Sequence, residues 1–341
     1  MENSGHQDRK NDHIEIVLHE DVASTISNGF EKYTFRHQAL PDVNFNEIST
    51  NTLLFGKKLA SPLFISSMTG GTSQTGRINQ NLAVAAQQLG IAMGVGSQRP
   101  MLENQEASDT YNIRQYAPDI VLFANIGAVQ LNYSVGVDEI KRIIDVIQAD
   151  ALIIHLNSLQ EVFQPEGELN FAGLFSKIAS IVKTVSVPVI IKEVGWGIDG
   201  KLAERLASIG VSAIDVAGAG GTSWSQVERF RHQDPIRYQA ADAFRDWGIP
   251  TAESLMDVLN HVHGVPVFAS GGLSTGVEAA KAIALGATLC GYARRILPAA
   301  NKSADAVIEV FQQLDLELRI AMFGIGAKNL QELSKVHLDR K

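Results

Sequence analysis

A single cysteine, Cys290, stands among the 341 residues, so no intramolecular disulfide can form, and a reducing compartment is the simplest setting. It sits in the apolar run "ATLCGYA", where a small buried hydrophobe is a better reading than a reactive thiol. No stretch approaches the roughly 20 consecutive apolar residues needed to cross a bilayer. The first thirty residues are polar and charged and lack the apolar centre of a secretion signal. The expectation is a cytoplasmic protein with no membrane partner. Excess positive charge is missing too: 29 Lys and Arg stand against 37 Asp and Glu, a net charge of −8. That disfavours a nucleic-acid partner, whose phosphates need a basic face. Small anionic ligands are not excluded, because a local cluster can be positive in an acidic chain.

What is present is a period. From residue 61 onward short β-branched or apolar runs alternate with Gly-rich or polar turns and helical stretches. The strand candidates span 63–68, 91–96, 120–126, 151–157, 188–194, 213–218, 266–271 and 287–293. Helical stretches such as 78–90 and 277–287 lie between them and run into glycine near their ends. Alternation of this kind implies right-handed crossovers and a parallel sheet. Eight units close naturally into an α/β (β/α)8 TIM barrel of about 250 residues, matching 61–322. An open doubly wound sheet would carry G-x-G-x-x-G after its first strand, and "SSMTGGTSQTG" does not. Residues 1–60 stand outside the period as an N-terminal extension, expected to be partly helical over "GFEKYTFRHQAL". Residues 219–250 form a long insertion after the sixth strand, where a barrel places a lid.

In such a barrel the chemistry sits at the C-terminal ends of the strands. Loops seven and eight, "ASGGLST" and "GYAR", offer a phosphate cradle with Gly271, Gly272 and Arg294. Lys192 in "PVIIKEV" shares parity with Ile190 and Val194 and opposes Glu193, so one of the two charges faces the barrel interior. Lys192 is either half of a structural ion pair, with Asp215 as partner, or a cation facing an anionic ring or phosphate at the mouth. With Asn125 and Thr222 nearby, a planar polar cofactor such as a flavin suits these donors. Strand four ends in "HLNSLQE", which brings His155, Asn157, Gln160 and one carboxylate, Glu161, together. His155 is expected to hydrogen-bond an anionic substrate. His261 and His263 make a poor metal pair and suit a helix C-terminus better. "RKNDHI" places Arg9, Lys10 and His13 on an otherwise acidic arm, of interest only if the arm folds over the mouth.

Seven motifs taken together, "RKNDHI", "SMTGGT", "GSQR", "HLNSLQE", "KEVGWG", "GGTSW" and "SGG…GYAR", resemble the type II isopentenyl-diphosphate isomerases, which are FMN-dependent (β/α)8 barrels. The match covers essentially the whole chain, and "HLNSLQE" with the N-terminal "RK" is its most specific part. The resemblance implies interconversion of isopentenyl and dimethylallyl diphosphate with reduced FMN and Mg²⁺, NADPH serving as reductant. It implies flavin contacts from Ser67, Met68, Thr69, Ser97, Asn125, Lys192 and Thr222, with Gly271, Gly272, Ala293 and Arg294 at its phosphate end. Arg9, Lys10, Arg99 and His155 would hold the substrate diphosphate, with Gln160 near the reacting carbons and Glu161 on the metal. Gln160 and His155 are thus the implied catalytic pair. Residues 1–60 would complete the substrate site of an FMN-binding barrel spanning 61–341, in a homo-oligomer of four or more subunits. One departure is Ala217 in "DVAG", where the family often has serine. The rival is an FMN-dependent 2-hydroxy-acid oxidase or dehydrogenase, which would enlist His232 and Arg229 and leaves "HLNSLQE" without a role. A non-catalytic flavin- or phosphate-binding protein is the third reading.

Overall fold

The structure, a computed structural model, describes residues 3–341, with side chains placed for residues 9–104 and 107–341. Eight parallel strands close into a barrel in simple chain order. They are Leu63–Ile65, Ala92–Gly94, Leu122–Gly127, Ala151–Leu156, Val189–Glu193, Ala213–Asp215, Val267–Ser270 and Leu289–Tyr292. The eighth pairs with the first, Cys290 opposite Leu63, which removes every sheet edge. Every expected strand forms, though each is shorter than its apolar run; in all but the third, which loses residues at its start, the C-terminal residues of the run turn out into the loops.

Several of the helices between them begin where a side chain can cap them. Thr72 starts Ser73–Leu89, accepting from the Thr75 N–H, and Gly90 ends it in the left-handed region at φ 64°. Thr275 caps Gly276–Leu285 in the same way, with Glu278 closing the capping box. Their apolar faces and the outer faces of the strands form one continuous core.

The barrel interior is a second, smaller core. Phe64 stands edge-on to Phe123 and Phe268, with ring centroids 6.3 and 5.7 Å apart. Buried rings of this size contribute about 1.5–3 kcal/mol each relative to exposure. Leu54 and Leu59 join this cluster from a two-stranded hairpin, Thr52–Leu54 with Lys57–Leu59. The interior is therefore filled by apolar side chains, and polar residues gather one layer further along the strands.

One expectation is corrected. Residues 29–40 are mostly not helical: a single 3-10 turn, Phe30–Lys32, gives way to Tyr33–Thr34, which pairs with Asp339–Arg340. The arm's helix lies earlier instead, over Asn3–His19. After it the chain crosses the mouth, where Ala23 bridges Thr222 and Ser24 N–H donates to the Gly221 carbonyl at 2.9 Å. The insertion 219–250 folds into two short helices, Trp224–Arg229 and Pro235–Asp242. It is anchored at its root by the Ala219–Pro250 bridge.

Candidate active site

A cavity of about 610 Å³ opens at the C-terminal end of the barrel, walled by the strand ends, the arm helix and the root of the insertion. Every residue assigned above to substrate, flavin, metal or catalysis lines it, from Arg9 and Lys10 through Glu161 to Arg294.

Register settles which way the strand-end charges point. His155, Lys192 and Asp215 are side by side on strands four, five and six. Directly below them, two residues back, Ile153, Ile190 and Ala213 belong to the interior core. Parity therefore turns Lys192 inward and Glu193 outward. Lys192 makes the expected ion pair: its Nζ lies 3.3 Å from Asp215 and 3.3 Å from Ser270 Oγ, and its side chain also lines the cavity. Ser270 Oγ donates in turn to Asp215 at 2.6 Å, completing a buried triad. Glu193, outside the cavity, accepts from the N–H groups of Val194, Gly195 and Trp196 at 2.5–2.6 Å and shapes the loop after strand five. Burial pushes its carboxyl up to about 7 against those three donors.

One wall carries hydroxyls without partners. Ser67 Oγ and Thr69 Oγ1 are buried and make no hydrogen bond among the described residues. Thr110 Oγ1 accepts from Gly71 N–H and pins loop one, and the neighbouring Tyr111 hydroxyl donates to the Ser97 carbonyl of loop two at 2.5 Å. Gly271 and Gly272 sit at φ 103° and 73°. A Cβ on either would overlap the backbone of Gly218 or Gly220, so the tight contact between loops six and seven demands glycine here. Ala217, beside them, lies at φ 38° in the region that favours glycine.

The charges come from the arm helix and from loops two and four. Arg9 and Lys10 reach the cavity from the arm helix, and both are nearly fully buried. Lys10 has no hydrogen-bond or ion-pair partner among the described residues, and burial, with Arg9 beside it, pulls its amine down to about 7. His155 is pulled down to about 3 by burial and by Lys10 and Lys192, so it is neutral in the physiological range. Its Nδ1 lies 2.7 Å from Asn125 Oδ1. Arg99 is held by Glu103 at 2.6 Å and by Glu168 at 3.1 Å. Glu161 accepts from Asn157 Nδ2 at 2.9 Å and from Glu168 N–H at 2.7 Å. Its carboxyl is raised, chiefly by burial.

Glu228 was not among the expected site residues. Its carboxylate is fully buried and sits 3.0 Å from His13, 2.8 Å from Arg231 and 3.2 Å from Gln160 Nε2. Burial pushes it up, but His13 and Arg231 outweigh that and hold it at about 2. His13 also meets Trp224 edge-on, so the arm helix is docked onto the insertion. The i,i+3 pair Glu228–Arg231 was the only available signal. Arg229 and His232, the rival's residues, do not line the cavity. Arg229 binds Asp242 and covers Tyr238, and His232 is bonded to the Phe163 carbonyl. Cys290 is buried, with its thiol pushed up by burial, and is no nucleophile.

Comparison with known proteins follows from this geometry. Residues 19–117 and 157–340 match the family model of FMN-dependent dehydrogenases. Isopentenyl-diphosphate delta-isomerase of Synechocystis sp. is 52% identical over 331 residues, covering 97% of this chain and 95% of that protein. The protein of that name from Oceanobacillus iheyensis is 49% identical over 330 residues, covering 96% and 95%. Among solved structures, mandelate oxidase superposes with a TM-score of 0.67 at 18% identity, covering 99% of this chain and 98% of that one. At that identity the likeness is one of fold alone.

Proposed function

The chain belongs to the isopentenyl-diphosphate delta-isomerases of the FMN-dependent barrel type, and from that premise we propose how its residues divide the work. It is an isomerase that interconverts isopentenyl and dimethylallyl diphosphate, and FMN is its cofactor. The observation that carries the assignment of the anion end is Lys10, a buried amine with no hydrogen-bond or ion-pair partner among the described residues, in a cavity that Arg9 and Arg99 also line. An unpaired buried charge is costly, and a diphosphate would relieve it.

The strand-end residues away from the arm's basic pair fit the flavin. The orphaned hydroxyls of Ser67 and Thr69 and the Lys192 amine offer polar contacts to a planar ring, and loops seven and eight leave Gly271, Gly272, Ala293 and Arg294 at the phosphate end. Reduced FMN, when bound, supplies the acid–base group for the proton exchange. A proton must reach C4 of the substrate and another must leave C2. Gln160, a neutral amide, orients that end of the alkene without placing a full charge beside it. Glu228 holds the Gln160 amide from behind, and the buried Glu228–Arg231 pair keeps this anchor away from the reacting carbons.

Mg²⁺ is part of the same reading. No group of three or more His, Cys, Asp or Glu among the described residues could hold a metal unaided. Glu161 offers one carboxylate, and Asn157 Oδ1 beside it is buried without a hydrogen-bond partner among the described residues. Mg²⁺ is commonly held by one or two carboxylates together with substrate phosphates and water, so this set suits a metal that arrives with the diphosphate. NADPH as reductant, a homo-oligomer and a cytoplasmic location complete the proposal. The single buried cysteine supports a reducing setting, and no helix among the described residues is long and apolar enough to cross a membrane. The arm 1–60 completes the substrate site of the barrel 61–341, supported by Arg9, Lys10 and His13 at the cavity wall.

The test is substitution at Glu161 and at the arm. Glu161→Gln is expected to raise the Mg²⁺ concentration needed for half activity by at least about tenfold, the loss of a charged ligand being worth about 1.4 kcal/mol or more. Replacing Arg9 and Lys10 together with alanine is expected to raise KM strongly with FMN retained. Unchanged Mg²⁺ dependence or unchanged KM would return these residues to a structural role.

A further inference from the structure

We propose that Glu168 is a positioning residue: it fixes Arg99 at the anion end of the cavity and ties that arginine to the Glu161 carboxylate. The inference rests on the roles given above to Arg99 and Glu161. Glu168 touches three of the loops around the mouth. Its Oε1 accepts from Arg99 Nη2 at 3.1 Å, and its Oε2 accepts from Gln130 Nε2 at 2.6 Å. Its backbone N–H donates to Glu161 Oε2 at 2.7 Å. The side chains of Arg99 and Glu168 are both only 16% exposed, so this is a half-sheltered pair rather than a solvated surface contact.

Local geometry explains why it is this carboxylate. The turn "QPEGE" folds back so that Gly167 packs on the Glu161 carbonyl, where any Cβ would overlap it. That contact delivers the next N–H, of Glu168, to the Glu161 carboxylate. Glu166, two residues earlier, turns away to Arg231. Arg99 has its Nε on Glu103 and one Nη2 proton on Glu168, which leaves Nη1 without a partner among the described residues. Two carboxylates thus clamp one edge of the guanidinium and leave the other available in a cavity-lining side chain. A clamped fork loses less freedom when it binds an anion than a mobile one does. Glu168 makes no contact with the flavin wall, so its effect is confined to the anion and metal end.

Gln130 makes a clean substitution possible. Its Oε1 is buried and unpartnered, so in Glu168→Gln the Gln130 amide can flip and accept from the new side-chain amide. The hydrogen bonds are then kept and only the charge is lost. The experiment uses the FMN-loaded full chain with Mg²⁺ and inorganic pyrophosphate as the probe, titrated calorimetrically for wild type, Glu168→Gln, Arg99→Gln and the double variant. Glu168→Gln is expected to weaken pyrophosphate binding about tenfold while FMN affinity and melting temperature hold. Arg99→Gln is expected to weaken it at least as much, and the double variant should bind like Arg99→Gln alone, because residues acting through one another are not additive. Losses that add in the double variant, or a Glu168→Gln that binds as well as wild type or better, would overturn the proposal. So would an Arg99→Gln that binds normally. Tight pyrophosphate binding with these couplings, but no isomerase turnover in wild type, would count against the catalytic reading and leave this inference standing.

Discussion

Replacing Glu228 with glutamine separates the support of Gln160 from the shape of the site. The side chain keeps its size, but the carboxylate that faces His13, Arg231 and Gln160 becomes neutral. Arg231 is not stranded, since Glu166 remains at 2.7 Å and Asp12 at 3.8 Å. The stability loss is then close to one charge-assisted hydrogen bond, about 1.5–3 kcal/mol. For a chain of this size about 2 °C accompanies each kcal/mol, so melting should fall by about 3–6 °C. The bond from Gln160 Nε2 to Glu228, 3.2 Å long, weakens at the same time. If catalysis needs Gln160 in place, a loss of 1.4–2.8 kcal/mol there gives a kcat lower by about 10- to 100-fold. Glu228 does not line the cavity, so FMN affinity should not change. The pH dependence has a definite sign. Glu228 is held at about 2, below its ordinary 4.5, so its stabilisation is complete above about 4.5 and is lost as pH falls toward 2. The melting curves of wild type and variant should therefore converge across that window. Anaerobic turnover with reduced flavin, a flavin-binding titration and calorimetry give the three readouts. A kcat within twofold of wild type, or loss of FMN in parallel with activity, would refute the reasoning.

Two further outcomes follow. Burial pulls the Lys10 amine from 10.5 to about 7, so in the free protein it sheds its proton as pH rises through neutrality. A bound anion restores the charged form, so pyrophosphate binding above pH 7 should take up a proton and weaken with rising pH. Between about 7 and 10.5 the unfolded chain holds a proton the folded chain lacks, so Lys10 makes stability rise with pH there. Calorimetry in two buffers of different ionisation enthalpy measures the uptake, and a pH-independent affinity from 6 to 9 would contradict it. Gly271→Ala should cost at least about 2 kcal/mol, from the left-handed backbone and overlap with the Gly218 backbone. It should also lower FMN retention; an unchanged melting temperature would contradict this.

The barrel was legible because each strand is a compact apolar run whose inner residues fill a narrow interior and whose polar residues begin at the mouth. Lys192 shows the same logic at one position: period-two alternation said that one charge must face inward, and register with Ile153, Ile190 and Ala213 decided which. The arm helix Asn3–His19 was not legible. Its buried positions include Arg9, Lys10 and His13, which face a polar cavity, so the apolar stripe that announces a helix is absent. Glu228 and Glu168 escaped for a related reason. Each acts by holding another polar side chain across a gap between loops, and no local pattern encodes that partner. Gly271 and Gly272 were placed at the correct loop for an incomplete reason: a close approach to a ligand was expected, whereas the contact that requires glycine is with loop six.

The most direct test of the account is an anaerobic incubation of the protein with FMN, a chemical reductant, Mg²⁺ and isopentenyl diphosphate, with dimethylallyl diphosphate followed by NMR. Product is expected only when the flavin is reduced, accumulating without stoichiometric consumption of the reductant. Bound, reduced flavin with no dimethylallyl diphosphate would contradict this expectation.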